Sequence, residues 1–320
     1  MAPRSRAVAF VRAAAPWVVG IALVIVVARR LPMAAFRRGL HEGPQVTLAI
    51  VDTAVTLAML LSDSFATWLG LAAVRIRIGL GKVTMLRGAT YMLALLNYAA
   101  AQGGLGYFLH RSGIGGMRAA SATLFLVGTT FATLLGVTTA AWASSSGPVP
   151  DLALWHMLLA TCAAFAVYLV VIAARPSFLT RWKLLESLFD AGIGGHAVAI
   201  AARIPHVLVI VLGHWFAMRV WGIPVPFVVA ATIMPAVVIA ALLPTPGGLG
   251  TTQVALVYFF ARYASGATSD DREAAVLAFS IVHFVYGVLS QLAVGVACIP
   301  FARRLTADQG RPTSTVSSAN

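Results

Sequence analysis

Long apolar runs separated by short basic or turn-rich stretches dominate the chain. Six runs, near 11–28, 47–73, 119–142, 152–174, 196–218 and 274–300, reach the ~20 residues that a helix needs to cross a hydrocarbon core. Two further apolar regions, near 88–110 and 225–265, each contain Gly-Gly-Leu-Gly, at Gly103 to Gly106 and at Gly247 to Gly250. A glycine cluster frees backbone groups that hydrocarbon cannot satisfy, so such breaks persist where protein or a water-filled cavity covers them. The pattern predicts an all-α polytopic membrane protein with six full transmembrane helices and two glycine-broken re-entrant hairpins. It forms a single transmembrane domain over 1–305, followed by a polar, Ser- and Thr-rich tail, 306–320, expected to be disordered.

The beginning of the chain (Arg4, Arg6 and Arg12, then Ala13 to Ala28) has the look of a signal peptide. No small-residue cleavage site precedes Arg29-Arg30, so an uncleaved first span is expected. Trp17, Trp142, Trp155, Trp215 and Trp221 fall near span ends, where aromatic belts form. Between 178 and 190 the order of residues puts Phe178, Trp182, Leu185 and Phe189 on one helical face, which predicts an amphipathic helix lying in the interface. Pro205 is expected to kink the span 196–218.

Charge sets the orientation. With a cytoplasmic N-terminus and hairpins that return to the side they came from, the inside holds Arg4, Arg6, Arg12, the four basic residues from Arg75 to Arg87, Arg111, Arg118, the three from Arg175 to Lys183, Arg303, Arg304 and Arg311. That places 15 of 23 basic residues inside and 7 outside, with Arg203 within a span. A first glycine region that crosses fully gives 12 to 10 instead, so the positive-inside rule prefers hairpins. Arg29, Arg30, Arg37 and Arg38 go outside in this arrangement. Each half, about 11–142 and 152–302, then carries three spans and one hairpin. An odd number of spans inverts the second half, which predicts an inverted repeat. The alternative is chance recurrence in a chain with 28 glycines. The expected location is the inner (plasma) membrane, multi-pass, with both termini cytoplasmic.

Composition agrees: 60% hydrophobic, 10% charged, mean hydropathy +0.88. The net charge of +13 comes from clusters beside spans, not from one basic face, which argues against nucleic acid. Cys162 and Cys298 lie in apolar spans and are expected to be packed thiols. No metal site is expected, because the histidines lack both the i, i+4 helical spacing and a nearby cysteine. There is no Gly-x-Ser-x-Gly elbow and no Gly-Lys-Ser/Thr after either glycine motif. No catalytic residue and no cofactor is therefore assigned.

Ionisable residues within spans are costly and become candidates by default. Asp52 and Asp63 are eleven residues apart in one span, within about 20° on a helix. Of the two, Asp52 lies near a span end, where solvation at the interface is expected. His196, Arg203 and His214 align in the equivalent span, with His206 offset by about 80°. Arg203 either faces a cavity and binds an anionic headgroup through its planar fork, or is locked in a buried pair with Asp63. Half-helix N-termini following Gly106 and Gly250 would point partial positive charge inward, a site for phosphate or carboxylate. Thr251, Thr252 and Gln253 would supply neutral hydrogen-bonding groups there; the alternative is a simple helix cap.

At these residues the chain resembles the transmembrane region of lysylphosphatidylglycerol synthases and its stand-alone flippase-like relatives. The resemblance rests on Leu96-Asn97-Tyr98 before a glycine-rich region (Gly103, Gly104, Gly106) and Arg111. It rests above all on Pro244-Thr245-Pro246-Gly247-Gly248-Leu249-Gly250, and it covers about 15–302. It departs in two places. Gln253 stands where the family usually has an acid, and Ala101 to Gly103 stand where it tends to have a Pro and an Arg. No stretch corresponds to the soluble aminoacyl-transferase domain, so synthesis of lysyl-lipid by this chain alone is not expected. The resemblance implies binding, and translocation between leaflets, of an amphipathic phospho- or glycolipid with an anionic headgroup. The alternatives are a non-catalytic partner of a lipid-modifying enzyme and an intramembrane lipid transferase.

Overall fold

Runs of Ala, Leu, Val and Ile with few interior prolines drive most of this chain into helix, because each backbone group is then satisfied within its own segment. The computed structural model describes residues 18–27 apart from Gly20, Arg29, and residues 33–144, 152–241 and 245–307. Among them no strand occurs. A helical stretch over 21–27 precedes α1 (Met33–Glu42), α2 (Gln45–Ala73), α3 (Leu80–Ala94), α4 (Tyr98–Arg111) and α5 (Gly116–Ala143). The remainder forms α6 (Leu152–Ala174), the short α7 (Ser177–Thr180), α8 (Glu186–Val220), α9 (Phe227–Ala241), α10 (Thr251–Phe260) and α11 (Ser269–Ala307).

Among the described residues, four helical stretches are long and apolar enough to cross a membrane: Gln45–Ala73, Gly116–Ala143, Lys183–Val220 and Ser269–Leu305. They cover the predicted spans 47–73, 119–142, 196–218 and 274–300. The predicted span 152–174 coincides with α6, and half of 11–28 lies outside the described residues, as does 308–320 of the predicted tail. On α2 the buried positions include Asp52, Thr56, Asp63, Ser64 and Thr67, while Val46, Ile50, Leu57 and Leu61 are exposed. Polar residues inside and apolar residues outside reverse the pattern of a soluble helix and suit one surrounded by lipid.

Two pairs of short helices are the exception. The arms α3 and α4 have 15 and 14 residues, about 22 and 21 Å at the α-helical rise. The arms α9 and α10 have 15 and 10 residues, and no arm reaches the ~30 Å of a hydrocarbon core.

The turn of the first pair corrects the expectation drawn from Gly-Gly-Leu-Gly. Gly103, Gly104 and Gly106 lie inside α4, and the chain breaks instead at Leu95–Asn97. Asn97 is extended, and its Oδ1 accepts the Ala100 N–H at 2.7 Å, capping α4. The local reason is that the N-cap satisfies orphan donors of the first turn, while the alanines that follow favour uninterrupted helix. The glycines serve packing: Gly104 lies under Leu93 of α3, and Gly106 beside Thr123 of α5. The half-helix N-terminus of this pair therefore follows Asn97, not Gly106.

In the second pair the motif is the break. Gly247, Gly248 and Gly250 have φ of 55°, 79° and 85°, a left-handed region costly for residues with a Cβ. Gln253 Oε1 accepts the Gly250 N–H at 2.5 Å and fixes the start of α10.

Two other expectations change. The predicted interfacial helix is broken into α7, a 3-10 turn at Lys183–Leu185 and the start of α8. Phe178 and Trp182 are exposed, whereas Phe189 is buried, so the four residues do not share a face. Within α8 the non-helical backbone is at Gly192, not at Pro205.

Small residues let these helices approach closely, as helix packing in lipid requires. Gly213 of α8 receives Val55 of α2, Gly88 of α3 receives Cys298 of α11, and Gly295 of α11 receives Met92 of α3. One apolar core joins Met218, Ile233, Leu256, Phe260 and Phe279; another joins Leu71, Leu105, Leu109 and Phe125. Cys162 and Cys298 are free thiols.

Candidate functional site

A cavity of about 320 Å³ lies between the two helix pairs, walled by α2, α3, α4, α5, α8, α9, α10 and α11. Its size falls in the range of roughly 300–1,000 Å³ typical of ligand pockets. Both turns open onto it. Tyr98 and Gln102, at the start of α4, line one part of the wall, and Gly247, Thr252 and Gln253, around the start of α10, line another. Two helix N-termini thus border one cavity, each bringing partial positive charge.

The strongest charges in the wall belong to a three-residue cluster. Asp63 of α2 is 1% exposed. Its Oδ1 accepts a hydrogen bond from Arg203 of α8, and its Oδ2 accepts one from Arg87 Nε at 2.6 Å. Arg87 Nη2 also pairs with Oδ2. One carboxylate serves two guanidiniums, leaving the cluster a formal charge of +1. Arg87 lines the main cavity with Asp63. Arg203 instead lines a void of about 40 Å³ that shares Asp63, Arg87, Tyr98, Gln102 and His206 with the cavity wall. Its Nε has no hydrogen-bond partner among the described residues.

A second cluster involves Asp52, which lies eleven residues from Asp63, about 16 Å along α2. Asp52 is 2% exposed, so it is not the interfacial, solvated residue expected from its place near a span end. The physical reason is that α11 packs across this part of α2 and brings His283, whose Nδ1 lies 2.7 Å from Asp52 Oδ1. His214 of α8 stands edge-on to His283, ring centroids 4.8 Å apart. Asp52 Oδ2, Tyr91 Oη, Thr252 Oγ1 and Gln253 Nε2 are buried without partners among the described residues, and all four residues line the cavity. Buried polar atoms cost free energy unless something satisfies them.

No family model, curated protein or solved structure matches this chain.

The residues singled out in the sequence divide into three groups. Asp63, His214, Gly247 and Gln253 line the cavity, and Arg203 sits directly behind Asp63. Asn97, Pro246, Gly248, Gly250 and Thr251 shape the two turns: Thr251 Oγ1, for example, donates to the Gly248 carbonyl at 3.1 Å. His196, Gly103, Gly104, Gly106 and Arg111 are absent from the wall. His196 has both ring nitrogens engaged, by Gly192 O and by Tyr168 Oη, each at 2.6 Å, and it stacks edge-on against Phe125. It locks α8 to α6. Arg111 is exposed at the end of α4.

Arg87 and His283 complete the site and do not stand out in the sequence, and Asp52, a candidate by its place in a span, joins them instead of lying solvated at the interface. Arg87 follows Arg75, Arg77 and Lys82 closely enough to be counted as a loop cation, yet it is 8% exposed and seven residues inside α3. The other three basic residues, with Arg118, border a separate hollow of about 530 Å³ formed by 75–79 and 112–115, at the feet of the first pair.

Proposed function

We propose that this protein binds an amphipathic lipid with an anionic headgroup and moves it between leaflets. The observation that carries the reading is the +1 cluster of Asp63, Arg87 and Arg203 at a cavity bordered by two half-helix N-termini. A guanidinium whose carboxylate is shared retains donors for phosphate, and its planar fork suits that geometry. Water is scarce at this depth, so an anion there is drawn to the cluster more strongly than in solution.

On this reading α3–α4 and α9–α10 are re-entrant hairpins that dip into the membrane from opposite faces, each followed by a full span. With α2 and α8 as equivalent spans, the chain is an inverted repeat with its site at the interface of the halves. The basic hollow of Arg75, Arg77, Lys82 and Arg118 then faces the cytoplasm, as the positive-inside rule asks. The resemblance of the Pro246 to Gly250 turn and of Asn97-Tyr98 to the lysylphosphatidylglycerol synthase transmembrane region accords with this reading. So does a place in the inner membrane with cytoplasmic termini.

Binding is tested with purified protein in detergent and fluorescent phosphatidylglycerol, phosphatidic acid and phosphatidylcholine. The anionic lipids bind the wild type, and Arg87→Gln weakens them at least tenfold while leaving monodisperse, folded protein. Equal affinity for phosphatidylcholine, or unchanged affinity in folded Arg87→Gln, contradicts the reading.

A further inference from the structure

The end of the cavity opposite Arg87 holds three ionisable groups from three helices: Asp52 on α2, His214 on α8 and His283 on α11. Asp63 has two arginines for one carboxylate, whereas Asp52 has no fixed cation and only His283 as its partner. A buried carboxylate is costly unless another polar group pairs with it. The hydrogen bond between His283 Nδ1 and Asp52 Oδ1, at 2.7 Å, provides that pairing.

His214 adds capacity. Its Nδ1 lies 2.8 Å from the carbonyl oxygen of Ile210, which can only accept, so Nδ1 carries the hydrogen and Nε2 presents a lone pair. The Nε2 of His283 is likewise left when Nδ1 donates to Asp52. Phe279 stacks on the His283 ring with centroids 5.2 Å apart, holding it in place. Asp52 Oδ2 has no hydrogen-bond partner among the described residues although Asp52 is 2% exposed.

The other ionisable groups in the wall are Asp63 on α2, Arg87 and Tyr91 on α3, Tyr98 on α4 and His206 on α8; α5, α9 and α10 contribute none. His206 belongs to the far cluster, its Nδ1 3.3 Å from Ser62 Oγ. The charged residues of α1, which packs against α11, line no part of the cavity.

We propose that Asp52, His214 and His283 form a proton-binding site and that the protein carries a proton together with the anion held at Arg87. The proton comes from water on the acidic side, converts a neutral imidazole of the pair to imidazolium, and returns to water on the alkaline side. Its charge offsets that of the headgroup, so the loaded cavity gains no net charge. This inference rests on the lipid-binding reading for its coupling, but not for the protonation itself.

Two measurements separate the two ideas. In the first, protein labelled with ¹⁵N-histidine is titrated by NMR in detergent micelles over about pH 4 to 8. His214 and His283 take up a proton in mutual dependence, and Asp52→Asn shifts the titration of His283. If neither ring protonates, or if Asp52→Asn leaves His283 unmoved, the proton site is overturned whatever the lipid does.

In the second, proteoliposomes with fluorescent phosphatidylglycerol are given an acidic exterior and an alkaline lumen. The wild type accumulates label in the inner leaflet beyond half, and the lumen acidifies faster than in empty vesicles. Asp52→Asn loses both the excess over half and the added proton flux. Label that reaches half with or without the gradient, and no added proton flux, overturns the coupling while leaving lipid movement intact. No lipid movement at all, with protonation seen by NMR, overturns the lipid reading and the coupling but not the proton site.

Discussion

Arg87 donates from Nε to Asp63 Oδ2 at 2.6 Å, tying the inner face of α3 to the middle of α2. Arg203 reaches the other carboxylate oxygen from α8. One side chain thus fastens three helices where the cavity needs its charge.

Removing Asp63 leaves two buried guanidiniums with no carboxylate. Breaking a buried pair in this way costs about 3–5 kcal/mol. Asp63→Ala is expected to lower the melting temperature of purified protein and its abundance in membranes. The double variant Asp63→Ala, Arg203→Gln removes one of the stranded charges and should recover part of the loss. A double variant no more stable than Asp63→Ala would show that the stranded guanidiniums are not what destabilises Asp63→Ala.

The two Gly-Gly-Leu-Gly copies are expected to respond oppositely to alanine. Gly103 is helical with open space where a Cβ would stand, so Gly103→Ala should stabilise by about 0.5–1 kcal/mol. At Gly248, φ is 79° and a Cβ would meet the Ala241 backbone at 2.9 Å. Gly248→Ala should therefore destabilise by at least ~1–2 kcal/mol from the left-handed backbone alone. Thermal unfolding of both variants in one detergent checks the contrast.

This contrast marks where sequence reasoning reaches its limit. Long apolar runs make the helices legible, and a charge inside such a run makes Asp63 and Arg203 stand out. The glycine motif, however, does not encode whether the turn is made by the glycines or by a cap upstream of them. Asn97 decides that in the first pair, and left-handed glycines decide it in the second. Arg87 is masked by its neighbours Arg75, Arg77 and Lys82, since nothing local says that α3 has already begun at Leu80. The Asp52–His283 contact joins residues 231 positions apart, and helical periodicity carries no information across that distance.

Gln253 caps α10 through the Gly250 N–H. Gln253→Ala leaves the Gly250 N–H without its acceptor and should cost about 0.5–1.5 kcal/mol, the net worth of one hydrogen bond, and should speed hydrogen exchange at 246–253. Gln253→Glu keeps the acceptor and should exchange more slowly than Gln253→Ala. Equal exchange in all three proteins would mean that the cap does not hold this turn.

On the proposed re-entrant arrangement, the feet of the two hairpins lie on opposite faces of the membrane. With Cys162 and Cys298 replaced by serine, single cysteines at the exposed positions Gly113 and Ser265 should react with an impermeant maleimide from opposite sides. Gly113→Cys should label from the cytoplasmic side and Ser265→Cys from outside. Labelling of both from one face would remove the inverted repeat.

On the proposed function, the Asp63–Arg87–Arg203 cluster carries an anionic lipid across the membrane. Reconstitution into liposomes with fluorescent phosphatidylglycerol, followed by quenching of the outer leaflet, measures this directly. Wild-type protein should expose inner-leaflet label to the quencher with a rate at least tenfold above both protein-free liposomes and folded Arg87→Gln. A wild-type rate no faster than protein-free liposomes, or a folded Arg87→Gln as fast as wild type, would contradict it.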